Sequence, residues 1–331
     1  MNTRTRYFVI VSLLVLSVGV GTGLVAYYVG YQASASQGPE ELRLVPPDAA
    51  LVAFADISAV MVSQVRQKLL EVLPAGGRGR QEFQDQTGIN IETDIDRVIA
   101  CLVPPGGNDQ TGPVAGFILA RGRFDNVRIE ALMREHGAHA EDYKGRRLVT
   151  AEVQGTAGDR SFSIGFLEPG LVAVGSSELV RASVDRALGG DNITDNAEVM
   201  DFIKSFDGNA WAVGRFDLLA ARAKLPAGVA SQIPPITWFS ASGRVDSGLT
   251  GTLRADARDE TAAGNLRDVV RGVVALAKLQ AGARPELGPV VDSILLGGTG
   301  KTVTLSFDVS AEVFDRLATA FQGFGRGRGA R

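Results

Sequence analysis

The sequence predicts an α+β protein in which an N-terminal transmembrane helix is followed by two related domains, each with helices packed on an antiparallel sheet. Three observations predict this class. Residues 7–31 form an uncharged, almost entirely apolar run. Short strand patterns of period two then switch repeatedly to helical periodicity. The resulting order of elements occurs twice, which indicates split β-α-β units and an internal duplication.

The predicted membrane anchor covers residues 7–31, after a short cytoplasmic N-terminus at 1–6. No charged residue lies between Tyr7 and Pro39, and a helix of about 24 residues spans about 36 Å, enough to cross a bilayer. Basic residues flank only its N-terminal side, because the next one after Arg6 is Arg43. This asymmetry predicts a single-pass membrane protein whose C-terminal body is periplasmic or extracellular.

Two further features of this region bear on the anchor. Small residues at Ala33 and Ala35 resemble a signal-peptide cleavage site, so a cleaved signal is the alternative, although the apolar run is longer than an ordinary signal core. Small residues also line one face of the helix and predict close packing on another membrane helix, from a second copy or a different subunit. They are Gly19, Gly23, Ala26 and Gly30.

Composition limits the functions of the remaining body. The apolar share of 45% and the charged share of 21% are those of a folded globular chain. The net charge of −3 provides no general basic surface for nucleic acid. Cys101 is the one cysteine in the sequence, so no intramolecular disulfide can form. It lies in an apolar strand pattern and is expected to be a buried side chain.

The chain divides into an exposed tether at 32–47, a first domain at 48–190, a second domain at 191–322 and a disordered Gly/Arg tail at 323–331. In the first domain we expect strands at 51–55, 96–103, 113–121, 146–153, 161–166 and 171–175, and helices at 57–73, 126–136 and 178–188. In the second we expect strands at 210–216, 236–245, 249–255 and 302–308, and helices at 217–223, 261–281, 286–295 and 310–321.

An aspartate lies at four of the predicted strand-to-helix junctions. These residues are Asp56, Asp125, Asp217 and Asp308. A carboxylate at a helix start accepts hydrogen bonds from free backbone N–H groups, so the four are predicted to be helix caps and not a catalytic set. Asp246 to Gly248 predict a tight hairpin turn between two strands.

Two motifs resemble binding sites and are interpreted otherwise. The run Gly297–Thr302 resembles a phosphate-binding loop, but Leu295 occupies the position of the first required glycine and the loop precedes a strand instead of a helix. The two histidines, His136 and His139, have a spacing that could share a metal, but Gly137 predicts the end of the helix between them. We therefore predict no cofactor, no metal, no nucleotide and no nucleic acid.

Three functions remain open. The first is a non-enzymatic envelope protein that binds a partner protein or serves as an accessory subunit of a membrane assembly. The second is a module that binds a lipid or another apolar molecule, motivated by the apolar helix around Leu266–Leu279, for which packing in the core is the simpler interpretation. The third is a hydrolase that uses carboxylates alone, which a deep pocket lined by two acidic residues would favour. No catalytic residue is predicted.

Overall fold

The computed structural model describes residues 38–72, 77–104, 114–153, 160–220, 234–282 and 287–313. Its strands are β1 (Leu51–Asp56), β2 (Ile95–Val103), β3 (Ala115–Gly122), β4 (His139–Tyr143), β5 (Arg146–Val153), β6 (Arg160–Glu168), β7 (Leu171–Ser176), β8 (Ala210–Arg215), β9 (Ile236–Val245), β10 (Leu249–Ala257), β11 (Leu295–Gly297) and β12 (Thr302–Val309).

The α-helices are α1 (Ile57–Val62), α2 (Gln64–Val72), α3 (Gly77–Thr87), α4 (Ile91–Asp94), α5 (Asn126–Glu135), α6 (Ser177–Ala187), α7 (Ala197–Ser205), α8 (Phe216–Ala220), α9 (Glu260–Gly282) and α10 (Gly288–Asp292). Two 3-10 helices lie at Glu40–Leu44 and Ile193–Asp195. Residues 311–313 are also helical, and the rest of the helix predicted at 310–321 lies outside the described residues.

One twelve-stranded sheet organises the described residues, in the order β11-β12-β10-β9-β8-β1-β2-β3-β7-β6-β5-β4. Every neighbouring pair is antiparallel. The predicted mixed α+β fold with an antiparallel sheet is therefore confirmed. Strands from the two predicted domains meet at the centre, where Ala53 of β1 lies opposite Ala212 of β8. The sheet is thus continuous across the predicted boundary at residue 190.

The two faces of the sheet carry separate cores. On the first face, Phe54, Phe117 and Trp211 pack with α6, α7 and the 3-10 helices into the larger cluster. On the second face, Ala55, Val172 and Val309 belong to another cluster. The alternation of strand side chains separates these sets, because successive residues point to opposite faces.

The segment before β1 differs from its prediction as an exposed tether. Leu42, Leu44 and Val45 are buried in the larger core. The carboxylate of Glu41 is also buried and accepts a hydrogen bond from Nε of Arg121, while Nε of Arg97 lies 3.3 Å away. From residue 40 to residue 45, therefore, the tether prediction is wrong, because this part of the chain is fixed on the body by burial and charge.

The capping prediction is confirmed at two of the four aspartates. Asp56 accepts from the N–H of Ala59 at 2.9 Å, and Asp125 accepts from the N–H of Arg128 at 3.0 Å. Asp217 lies inside the first turn of α8, where the hydrogen bond from Arg215 holds the pKa of its carboxyl below the usual value. Asp308 is no cap, because it lies in β12 opposite Thr250.

Several elements differ from the prediction. The helix predicted at 57–73 is divided into α1 and α2 at Ser63, and α3 and α4 were not assigned bounds from the sequence. The predicted helix at 286–295 is shorter, and Leu295 begins the edge strand β11. The second edge strand, β4, and helix α7 were not assigned bounds from the sequence. The turn after β9 is confirmed, since Asp246 N–H donates to the carbonyl of Gly248 at 2.9 Å.

The anchor predicted at 7–31 lies outside the described residues, as do its small residues Gly19, Gly23, Ala26 and Gly30 and the tail at 323–331. Among the helices that are described, none combines the length and apolarity needed to span a bilayer. The division into two domains stays a prediction.

Candidate functional site

Helix α9 exposes large apolar side chains along one side. Their exposed fractions are 50% for Val269, 61% for Val273, 62% for Leu276 and 75% for Leu279. At about 100° of rotation per residue, the four lie within an arc of about 120°. Gly272 lies in the same arc, and a Cβ added to it would meet no atom within 4 Å. We call the surface formed by these five residues the open face of α9.

The buried side of α9 is held by small residues. Ala262 and Ala263 pack with Ala257 and Val303 of the sheet, and Leu266 lies against the same cluster. The start of the helix is capped by Asp259, whose Oδ1 accepts from the N–H of Ala262 at 2.8 Å. That backbone hydrogen bond lowers the pKa of the Asp259 carboxyl. The helix is therefore fixed at its N-terminal end, while no residue in the described part of the chain covers its open face.

The basic side chains of α9 are engaged away from the open face, and Asp268 lies at the margin of that face. Arg267 donates to the carbonyls of Gly300 and Thr302 at 2.9 and 2.8 Å. Arg271 is paired with Asp268 at 2.8 Å, and Nζ of Lys278 lies 4.0 Å from Oδ1 of Asp292. The open face is thus apolar and poor in charge, which is the composition of the core of a protein interface.

A concavity lies on the first face of the sheet, over β9, β10 and β12. It has a volume of about 340 Å³ and is lined mainly by hydroxyl and charged side chains, including Ser240, Thr252, Arg254, Asp207 and Asp308. Asp207 is 85% exposed and ion-paired with Arg244, and Asp308 is exposed as well. These are solvated surface carboxylates and not an acid held in an apolar pocket.

A chain of buried hydroxyl groups lies under α6. Oγ1 of Thr150 and Oγ of Ser163 are 2.7 Å apart, and Oγ of Ser163 donates to Oγ of Ser177 at 2.7 Å. All three side chains are buried. Because the hydroxyls satisfy one another inside the core, their arrangement is that of a structural network and gives no nucleophile access to a substrate.

The motifs that resembled binding sites have structural roles. The run Gly297–Thr302 connects β11 to β12, and Gly298 and Gly300 have positive φ angles of 92° and 55°. His136 ends α5, as predicted, whereas His139 lies in β4. Within the described ranges, no cluster of three or more His, Cys, Asp or Glu side chains is arranged to hold a metal.

Cys101 lies in β2 and is 2% exposed, as predicted. Burial raises the pKa of its thiol, because the charged thiolate is disfavoured away from water. A neutral, inaccessible thiol is a poor nucleophile. The side chain is therefore part of the core and takes no part in the candidate site.

Sequence reasoning found α9 but not its exposure. The helix at 261–281 is confirmed. For its valines, packing in the core was the simpler interpretation, and the exposure of Val269 and Val273 shows that this interpretation is wrong for these two side chains. The available signal was the width of the apolar arc, which extends over more of the helix than one sheet contact can cover.

Comparisons with known proteins add little to this site. No protein-family model and no curated protein sequence matches the chain. A solved structure described as crystal form I of TP0453 is similar over 87% of this chain and 99% of its own, with 9% sequence identity and a TM-score of 0.43. A similarity this distant carries no argument about function.

Proposed function

We propose that this protein is a membrane-anchored extracytoplasmic protein without enzymatic activity, and that it binds a partner protein through the open face of α9. The observation that carries the proposal is the exposure of four large apolar side chains, each 50–75%, along one side of a single helix. Contiguous apolar surface of this kind marks an interaction site, whereas scattered apolar residues need no explanation.

The chemistry around the open face favours a protein over a lipid surface. A helix that lies on anionic lipid carries free Lys and Arg beside its apolar side chains. Here Arg267 and Arg271 are engaged by other groups. Asn265 and Gln280 lie within the arc of the open face and are uncharged, and Asp268 at its margin is ion-paired with Arg271. Depletion of charge around apolar side chains is typical of the centre of a protein interface.

The proposal includes the single-pass anchor at 7–31, which rests on the uncharged apolar run and on the basic residues before it. It also includes an internal duplication. Support comes from the strand order. Counted outward from the central pair of β8 and β1, one half of the sheet runs β1-β2-β3-β7 and the other runs β8-β9-β10-β12, so the strands correspond one to one. A helix follows both β3 and β10 after an aspartate cap, Asp125 in one case and Asp259 in the other.

Site-specific photo-crosslinking in native membranes tests the function. A photoreactive amino acid replaces Val273 in the open face or Val127 on α5, which is 81% exposed and provides the matched control. We expect a discrete protein adduct from position 273 and none from position 127. Equal labelling from both positions, or none from either, would contradict the proposal.

Mass spectrometry of the extracted protein separates the lipid alternative from this function. If the open face holds an apolar small molecule, a stoichiometric lipid or other ligand remains with the wild-type chain and is lost in Leu276→Asp. If it holds a protein, no such ligand copurifies and the position-273 adduct remains.

A further inference from the structure

We propose that the partner of the open face of α9 is α9 of a second copy of this chain, packed antiparallel about a two-fold axis near residue 274. This inference rests on the proposed function, and it names the partner that the proposed function leaves open. A two-fold axis makes an isologous interface, in which the same surface is used by both copies. The open face must therefore be complementary to itself.

Steric complementarity supports this register. With the axis at residue 274, Leu276 of each copy lies over Gly272 of the other, and Val269 lies opposite Leu279. The larger side chain thus meets the smaller one in each pair. Gly272 has no Cβ, and no heavy atom lies within 4 Å of the position that a Cβ would occupy. A glycine at this point gives a leucine side chain the room to approach the partner's backbone.

The spacing of the open face is that of a helix–helix seam. Val269, Gly272, Leu276 and Leu279 follow a 3-4-3 spacing, the pattern by which side chains of one helix fit between those of another. Between residues 269 and 279 the helix rises about 15 Å. The seam therefore contributes nearly three turns of contact from each copy.

The charges of α9 are compatible with this register. Asp268 of one copy lies opposite Gln280 of the other, whereas Arg271 and Lys278 point away from the seam, by about 140° or more of helical rotation from its centre. In this arrangement no charged side chain meets one of the same sign across the axis. Like charges at such positions would oppose association.

The short connection to the predicted anchor keeps the bodies of both copies close to the membrane surface. Six residues, 32–37, separate the predicted membrane helix from Gly38, so the connection reaches about 21 Å at full extension. Beyond it, Glu41 and Leu42 fix the chain on the body by an ion pair and by burial. Two anchored copies are therefore held at high effective concentration, and a seam smaller than an ordinary interface suffices.

The same symmetry suits the predicted anchors. A two-fold axis along the membrane normal keeps both N-termini in the cytoplasm while the two α9 helices run antiparallel beside the membrane.

Disulfide crosslinking between two differently tagged full-length copies tests the register. One copy carries Gly272→Cys and the other Leu276→Cys, and a second pair carries Val269→Cys and Leu279→Cys. Native Cys101 is 2% exposed and contributes no background. We expect both pairs to crosslink at least tenfold more efficiently than the mismatched control, Val269→Cys in both copies. Val127→Cys in both copies controls for random collision.

The outcomes separate this inference from the proposed function. Crosslinking of both designed pairs supports the antiparallel dimer. Efficient crosslinking of equal positions far from the axis, 269 to 269 and 279 to 279, overturns the register, because the register places them about 15 Å apart along the helix. If no designed pair crosslinks while position 273 forms a photo-adduct with another protein, the second copy is excluded and the proposed function stands. If position 273 forms no protein adduct at all, both fail.

Discussion

Helices α6 and α9 illustrate two ways in which an amphipathic helix is used in one molecule. In α6, Val180 and Val184 are 0% and 1% exposed. In α9, Val269 and Val273 are 50% and 61% exposed, and the fully buried positions are alanines. The same residue type is thus enclosed in one helix and left in solvent in the other.

The difference comes from what covers each helix. Strands β3, β6 and β7 and the first 3-10 helix all pack against α6. The 3-10 helix is held there by the ion pair between Glu41 and Arg121 and by buried Leu42. Among the described residues, α9 meets the sheet mainly at its N-terminal end and α10 beyond it. An apolar arc that no described residue covers is available to a partner surface.

The largest expected difference between the helices comes from an introduced charge. Val180→Asp places a carboxylate in the core, and we expect a loss of more than about 3 kcal/mol in the free energy of unfolding. At a protein concentration low enough to dissociate the proposed dimer, Val273→Asp leaves the carboxylate in water and should change the same quantity by less than about 0.5 kcal/mol. Urea titration of the detergent-solubilised chain measures both. Equal losses would show that α9 is as enclosed as α6.

Glycine-to-alanine substitutions should have opposite signs in the two regions. Gly165 lies beneath α6, where an added Cβ would come within 2.8 Å of Cγ1 of Val180. We expect Gly165→Ala to destabilise the chain by about 1–3 kcal/mol through overpacking. Gly272→Ala meets open space and should stabilise α9 by up to about 1 kcal/mol.

Gly272→Ala also tests the proposed dimer. An added methyl group at position 272 would occupy the space assigned to Leu276 of the second copy. Gly272→Ala should therefore stabilise the monomer in urea titrations and weaken association in sedimentation of the same sample. Increased stability with unchanged association would contradict the proposed register.

Acid should weaken the N-terminal cap of α9 but not that of α6, and this is the smallest of the expected differences. Asp259 caps α9, whereas Ser176 caps α6 by accepting from the N–H of Leu179 at 3.4 Å. The pKa of Asp259 is lowered from its ordinary value of 3.8 by the bond from Ala262. Its contribution is therefore complete above pH 3.8 and is lost as the pH falls through the folded-state pKa.

Hydrogen exchange of the two capped amides measures this difference. Protection at Ala262 should fall as the sample is acidified below pH 3.8, after correction for intrinsic exchange, while protection at Leu179 should not. In Asp259→Ser the acid dependence at Ala262 should disappear, because a hydroxyl cap does not titrate in this range. A parallel loss at both amides would indicate global acid unfolding.

Much of the fold follows from local patterns, and those predictions are confirmed. The alternation in Ile236–Val245 and Leu249–Ala257 and the turn between them are local properties of the chain. The caps at Asp56 and Asp125 likewise depend on neighbours three residues away. The continuous sheet was not predicted, because the pairing of β1 with β8 joins residues about 160 positions apart.

The missed features depend on distant or weak signals. Glu41 suggests an exposed segment until its partner Arg121, 80 residues later, is known. Strand β4 has the sequence His-Ala-Glu-Asp-Tyr, whose polar residues do not alternate with apolar ones as strand recognition requires. The open face of α9 could not be predicted, because helical periodicity shows which side chains share one side of a helix but not whether another element covers that side.

The mass of the protein extracted from native membranes in mild detergent tests the central claim most directly. The wild-type chain and Val127→Asp should each give a particle containing two copies, whereas Leu276→Asp should give one copy with an unchanged circular dichroism spectrum. A particle of the same size for all three chains would contradict the claim that the open face of α9 is where this protein meets its partner.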